Sequence, residues 1–324
     1  MGREERKDAY RHLCENEKSI SLFSKSWWLD AVCGTQAWDV ALVETGGVIV
    51  GSLPYYMNTR LGLNRIGMPP LTQTLGPWFA PHQAKYTNQL SRQHKLMSEL
   101  IGQLPPFGSF QQNFHYSISS WLPFYWQGFQ QTTRYTYVIE DLSDLDAVWS
   151  ETRQNIRTDI RKAQKKLGIR TDLSLDSFLS LSEMTFQRQG ISLPYSRELV
   201  ARLDRACVER NCRRIFFAED SQGQLHAAIY LVWDEQSAYY LMGGADPELR
   251  NSGATSLVMW EAIQFAGTVT RSFDFEGSMI EPVERFFRSF GARQRPYFQV
   301  SKVNSLPLKM YQDVRAWGRL IRDR

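Results

Sequence analysis

Three strand-like runs in close succession constrain this chain more than any other feature of it. Arg213–Asp220, Gln224–Trp233 and Ser237–Gly244 are rich in aliphatic and aromatic residues, and only Ser221-Gln222-Gly223 and Asp234-Glu235-Gln236 separate them. Connections this short join antiparallel neighbours, because a parallel crossover takes a dozen residues or more. A helical stretch over 254–267 and a short strand at 271–275 follow. The order predicts a mixed, mostly antiparallel sheet, splayed after the strand that ends near Met242.

The flanking sequence fits an α+β unit. Ile156, Ile160, Ala163 and Leu167 share one face of a helix expected over 152–167, which Gly168 would end before a short strand at 169–173. Helices are expected near 175–189, 197–210 and 282–289, a strand at 295–300, and a last helix at about 306–321. Upstream, the periodicity predicts a helix near 24–33 and two strands joined at Thr45-Gly46-Gly47. A Pro- and Gly-rich stretch at 66–81 reads as loop or edge strand, a helix is expected over 84–102, and strands are expected at 110–116 and 134–142. Between the last two, Trp121–Phe129 is almost wholly aromatic and reads as interdomain core, or else as a stacking wall for an acyl chain or a base. The polar run 141–146 is the expected boundary between domains 1–145 and 146–303.

Composition excludes several classes. The longest apolar run, Ala227–Trp233, has seven residues, whereas a membrane span needs about 20. The first eighteen residues are charged throughout, with no apolar stretch of the kind a secretory signal carries, so a cytoplasmic location is expected. With 38 basic against 34 acidic side chains, no DNA-coating surface is expected, and anion binding must come from local clusters. Cys14, Cys33, Cys207 and Cys212 fit no zinc spacing, and the five histidines form no pair. They read as core or surface thiols, with no metal and no disulfide.

Two stretches, Asn155–Ile169 and Phe273–Val303, are similar to segments of the GNAT acyltransferase superfamily, and within it of the FemABX-like branch of peptidoglycan-bridge aminoacyltransferases and acetyltransferase-like proteins. The first resembles that branch's arginine-and-lysine helix followed by Gly and a strand. The second resembles its Asp-containing strand and its Phe-Lys-x-x-Phe-Gly helix end. The resemblance implies an α/β (α+β) fold of two tandem GNAT-like (acyl-CoA N-acyltransferase) domains, with the C-terminal helix 304–324 packed on the first. It implies an N-acyltransferase that moves an acyl group from a CoA-type thioester to a primary amine. Acyl-CoA would be a co-substrate rather than a permanently bound cofactor. An aminoacyl-tRNA-dependent transferase acting on a cell-envelope precursor is the rival, with tRNA as partner. A catalytically inactive GNAT-like binding module is the third reading.

Candidate residues follow, each with a plainer alternative. Arg250-Asn251-Ser252-Gly253-Ala254-Thr255 stands where the superfamily writes Gln/Arg-x-x-Gly-x-Gly/Ala, lacking the last small residue. At a helix start its free amides would cradle a donor's pyrophosphate; otherwise it is a Gly-assisted turn. Arg153, Arg157, Arg161 and Lys165 recur every four residues, and Glu151–Arg170 holds seven basic and two acidic side chains. This is either a solvated face or, through Arg157 and Arg161, a phosphate clamp. Asp274-Phe275-Glu276 reads as an acyltransferase cleft that positions an amine, as an Asp-x-Asp-like metal site, or as a structural cap. Arg288 matches the branch's lysine and would stabilise an oxyanion, unless it is a surface cation. The helix that often carries a tyrosine acid in GNAT enzymes has Phe286-Phe287, which leaves Tyr297 as the substitute.

Overall fold

The computed structural model describes residues 2–306, apart from 61 and 189, together with residue 309. The chain divides into two compact units. One runs to Arg134 and includes the last strand from Tyr297; the other is Tyr135–Pro296. In chain order the elements are α1 (Arg3–Asn16), α2 (Ser26–Cys33), β1 (Trp38–Thr45), β2 (Val48–Arg60), β3 (Leu63–Gly67), β4 (Trp78–Phe79), α3 (Tyr86–Gly102), β5 (Ser109–Asn113), α4 (Leu122–Trp126) and β6 (Gln130–Ile139). Then come α5 (Leu145–Glu151), α6 (Gln154–Ala163), β7 (Leu167–Arg170), α7 (Leu175–Arg188), α8 (Arg197–Glu209), β8 (Arg213–Asp220), β9 (Leu225–Trp233), β10 (Ser237–Ala245), α9 (Ala254–Val269), β11 (Ser272–Asp274), α10 (Glu281–Arg288) and β12 (Arg293–Val303). The helix expected at about 306–321, and its packing on the first domain, fall almost wholly outside the described residues. Both units mix helices with a mostly antiparallel sheet, the tandem α/β plan that the sequence leads one to expect.

In the second unit the strands lie in the order β6-β11-β10-β9-β8-β7. All neighbours are antiparallel except β10 and β11, which run parallel through Ser237↔Ser272, Ala238↔Phe273 and Tyr239↔Asp274. Beyond Tyr239, β10 continues to Ala245 on β9 alone, and its register slips between Tyr240 and Met242. That extra residue is a β-bulge, which bends a strand and raises its twist. The sheet therefore parts at this point, as the strand series predicts. α9 is buried on most of its surface, with Leu257, Val258, Met259, Ile263 and Ala266 in the same core as Ile156, Ile160, Phe216 and Ile229.

In the first unit the order is β1-β2-β3-β5-β12, with β4 on the side of β2. Here too one pair is parallel, β3 with β5 through Arg65↔Ser109 and Ile66↔Phe110. Phe110, Phe114, Phe124 and Phe129 form an aromatic cluster in its core with Leu53, Leu100 and Val300. The aromatic segment is thus split by the short helix α4: Phe124 and Phe129 point into this unit's own core, while Leu122, Tyr125 and Trp126 are exposed.

Two local expectations change, and the N-terminus adds an element. The helix expected over 152–167 is shorter: α6 ends at Ala163, and Leu167 already stands in β7. Thr152 is extended, the Arg153 amide donates to the Ser289 carbonyl, and Gly168 pairs with Glu219 in the β7–β8 ladder. Leu167 is buried as expected, but from a strand. The polar run 141–146 lies inside the second unit, where Asp144 caps α5 by accepting the Ala147 amide at 2.9 Å. The charged N-terminus forms α1, held by the buried Tyr10 and Cys14 and by Lys25, whose ammonium donates to the Cys14 and Glu17 carbonyls at the helix end. No helix among the described residues is long and apolar enough to cross a membrane.

Candidate active site

Where β10 and β11 part, two carboxyl groups are held under burial. Asp274 closes β11 and is 4% exposed. Its Oδ1 accepts the Thr136 hydroxyl and the Glu276 amide, the latter at 2.8 Å, while no hydrogen bond among the described residues reaches Oδ2. Burial pushes this carboxyl up to about 6, partly offset by those two hydrogen bonds. Glu276 sits two residues on with φ +57°, a left-handed conformation that costs a non-glycine residue about 1 kcal/mol or more and clusters at functional sites. The Asp274–Glu276 bond is the cause: an Asp side chain that captures the amide two residues ahead makes a tight turn. Burial and the neighbouring Asp274 charge raise the Glu276 carboxyl well above the usual range. Like charges this close disfavour double ionisation, so the pair favours a single negative charge.

Tyr240 stands over the same point. A Cβ placed on Gly243 would lie 2.1 Å from the Tyr240 hydroxyl, so the ring folds across the bulge onto bare backbone. It meets Phe287 of α10 edge-on at 5.7 Å. Burial raises its pKa, and Tyr195 and Glu276 raise it further; the hydroxyl remains a proton donor near those carboxyls. α7 closes the far side. A Cβ on Gly244 would come within 2.5 Å of the Ser182 amide nitrogen, and Thr185 Oγ1 accepts the Ala245 amide at 2.9 Å and donates to its carbonyl at 3.2 Å.

The start of α9 supplies a different chemistry. Gly253 is its N-cap at φ +78° and makes no side-chain cap of its own. A Cβ there would lie 2.7 Å from the Asp159 carbonyl of α6, so only glycine permits this backbone and this contact together. The Ser252 hydroxyl accepts the Ala254 amide at 3.3 Å, and the first helical bond runs from the Leu257 amide to the Gly253 carbonyl. The remaining first-turn amides have no intrahelical acceptor. With the helix dipole behind them they suit a phosphate. Ala254 is buried, whereas Arg250, Asn251 and Thr255 are exposed.

Residues 150–282 match the family model described as an acetyltransferase (GNAT) domain. The match covers less than half of the chain. The chain's fold is shared at low identity along nearly its whole length. A crystal structure of FemX aligns with TM-score 0.65 and 12% identity, over 94% of this chain and 98% of that one. The C-terminal domain of a putative lysylphosphatidylglycerol synthetase from Agrobacterium fabrum aligns with TM-score 0.55 and 11% identity, over 96% of each chain. A tandem GNAT protein from the clavulanic acid biosynthesis pathway gives 0.53 and 12%, over 92% of this chain and 93% of that one. No curated protein matches the sequence.

The structure does not bring all of the sequence-derived candidates together. Asp274 lies at the strand parting, and residues 250–255 form the loop at the start of α9. α6, bearing Arg157 and Arg161, packs on that loop through Asp159. Arg157 Nη2 donates to Gln154 Oε1 at 2.9 Å, and its Nε is buried with no hydrogen-bond partner among the described residues. The Arg161 guanidinium lies 5.5 Å above the Trp149 ring, itself stacked on Trp260. Arg288 is exposed, with Nε 2.9 Å from Glu284 Oε1. Glu284 also accepts the Tyr137 hydroxyl. On α10 it is the buried Phe287, not Arg288, that faces Tyr240. Tyr297 belongs to the first unit, buried, with its hydroxyl accepting Arg134 Nε at 3.3 Å. Sequence reasoning missed Tyr240, and it took Glu276 only as part of a motif. The available signal was a tyrosine three residues before a Gly-Gly pair inside an otherwise strong strand. Among the described residues no group of three or more His, Cys, Asp or Glu is placed to hold a metal ion, which leaves the Asp-x-Asp-like reading without a third ligand.

Proposed function

We propose that the chain is an N-acyltransferase that moves an acyl group from a CoA-type thioester to a primary amine. The observation that carries this reading is Asp274: a buried carboxylate at the parting of β10 and β11, with one oxygen already committed and the other open. An ammonium group entering there meets one buried negative charge and loses a proton to the carboxyl pair. The free amine attacks the thioester carbonyl; a C–N bond forms and the C–S bond breaks. The leaving thiolate takes a proton from the Tyr240 hydroxyl, and the proton that the new amide nitrogen sheds restores that hydroxyl, so the products are an amide and a free thiol. Positioning of this kind supplies much of the acceleration of a two-substrate reaction, and a placed acid or base adds about 10²–10⁴-fold. The donor's pyrophosphate would rest on the first-turn amides of α9, with Arg157 alongside.

The test is turnover with acetyl-CoA and a panel of primary amines, followed as released CoA thiol, beside a parallel assay with aminoacyl-tRNA as donor. Thiol release that Asp274→Asn abolishes supports the reading. Consumption of charged tRNA with no binding of CoA would replace the donor. Neither reaction, with CoA still bound, would make the chain a binding module.

A further inference from the structure

α8 ends in a complete Schellman cap. The Cys212 amide donates to the Cys207 carbonyl at 3.1 Å, the Asn211 amide donates to the Val208 carbonyl at 3.0 Å, and Asn211 takes φ +50°. This motif brings the side chains of its first and last residues together, usually as an apolar contact. Here both are cysteines. The Cys212 thiol donates to the Cys207 carbonyl oxygen at 3.5 Å, which holds its sulfur at the helix end beside Cys207. We propose that Cys207 and Cys212 are a site of reversible oxidation, closing to a disulfide when the protein meets a peroxide-class oxidant. The inference is independent of acyl transfer.

The two thiols have unequal parts. Cys207 is fully buried, whereas Cys212 retains 8% exposure, which makes it the more accessible of the two. The neighbouring Cys207 thiol and the Arg210 charge lower the Cys212 pKa against the opposing effects of burial and Asp234, while Cys212 and burial raise that of Cys207. A lowered pKa beside a resolving thiol is the arrangement of oxidation-sensitive cysteines. The Cys212 thiolate attacks hydrogen peroxide: an S–O bond forms, the O–O bond breaks, and with one proton a water leaves. The Cys207 sulfur then displaces the sulfenic oxygen, which leaves as a second water. Two thiols and one peroxide thus give one disulfide and two waters, and a thiol reductant reverses the product. The remaining cysteines lack such a partner arrangement: burial raises the Cys14 pKa, and Cys33 Sγ donates to the Leu29 carbonyl at 3.0 Å.

Trypsin cuts after Arg205, Arg210 and Arg213, so the disulfide would join Ala206–Arg210 to Asn211–Arg213. The folded protein is treated with graded hydrogen peroxide, alkylated in denaturant, digested and read by mass spectrometry. The joined pair should appear at doses that leave Cys14 and Cys33 alkylatable, and dithiothreitol should split it. In Cys207→Ala, dimedone should trap a sulfenic acid on Cys212. In Cys212→Ala, labelling of Cys207 should be at least tenfold slower. Full alkylation of both cysteines at a dose that already oxidises Cys33 overturns the proposal, as does equal dimedone labelling in the two variants. The wild-type measurement stands alone if either variant fails to fold.

Discussion

The two units repeat one plan and differ in a single opening. Each has a parallel pair, β3 with β5 and β10 with β11, and each places a helix between the paired strands. β5 ends at Asn113 and β11 at Asp274. Each is followed by a buried phenylalanine whose amide reaches a neighbouring strand: Phe114 to the Phe298 carbonyl at 2.8 Å, Phe275 to the Tyr137 carbonyl at 3.0 Å. In the first unit the connection from β3 to α3 is long and lies along this strand end. The Leu75 amide donates to the Asn113 carbonyl at 2.7 Å, Leu75 bridges to Phe114 in parallel, and Asn113 Nδ2 donates to the Gln73 carbonyl at 3.2 Å. The chain fills its own parting. In the second unit the connection from β10 to α9 is short, ends in Gly253, and leaves Asp274 with an open oxygen. One framework serves as core or, under the proposed reading, as site according to the length of one connection and the exchange of an amide for a carboxylate.

The comparison breaks most directly at Asp274. Asp274→Asn gives the second unit the residue found in the first, and turnover should fall about 10²–10³-fold with little change in donor affinity. Retained turnover would show that the open carboxylate is not what distinguishes the units.

The pH dependence comes next. The Asp274 carboxyl has a folded pKa of about 6 against an ordinary value of 3.8, so the folded state holds this proton more tightly. Its contribution to stability is complete below pH 4 and lost as pH rises through 6. Relative to Asp274→Asn, the wild type should lose roughly 3 kcal/mol across that window, read from urea titrations at several pH values. Activity should rise over the same window as the carboxylate forms. A pH-independent difference between the two proteins would remove the buried charge from the argument.

Asn113→Asp is the reciprocal change. It removes the donor to Gln73 and brings a charge to a half-buried amide whose Oδ1 accepts Gln299 Nε2 at 2.9 Å. Stability should fall by about 1–3 kcal/mol, seen as a lower Tm, and no activity should be gained. The smallest effect is expected at Arg288: exposed and paired with Glu284, it should change turnover less than about twofold and stability by less than about 1 kcal/mol on replacement by Ala. A hundredfold loss there would return the oxyanion role to Arg288.

What could be read from the sequence follows from the range of the interactions involved. The β8–β9–β10 meander and α9 were legible because short turns and an apolar run are local signals. The early end of α6 was not, because Gln164, Lys165 and Lys166 include no Pro or Gly, and Leu167 is drawn instead into pairing with Asp220 of β8, far along the chain. The four-residue arginine spacing was visible, but the Trp149 ring beneath Arg161 was not. Asp274 could be named from a motif; its burial, its open oxygen and the left-handed Glu276 beside it arise only when β6, β10 and β11 come together. Tyr240 is invisible for the same reason, since its position depends on a bulge.

The contact between Gly244 and Ser182 sets a limit on how this protein can change. There β10 and α7 touch backbone to backbone, so no side chain can be trimmed to widen the space and none can be added to narrow it. Under the proposed reaction, a different acyl group or amine would have to be accommodated elsewhere, and the exposed Ile191, Met279 and Ile280 lie in the connections that follow α7 and β11. Variation in selectivity among close relatives, and libraries meant to redirect it, should therefore concentrate in those two loops while the backbone contact stays constant.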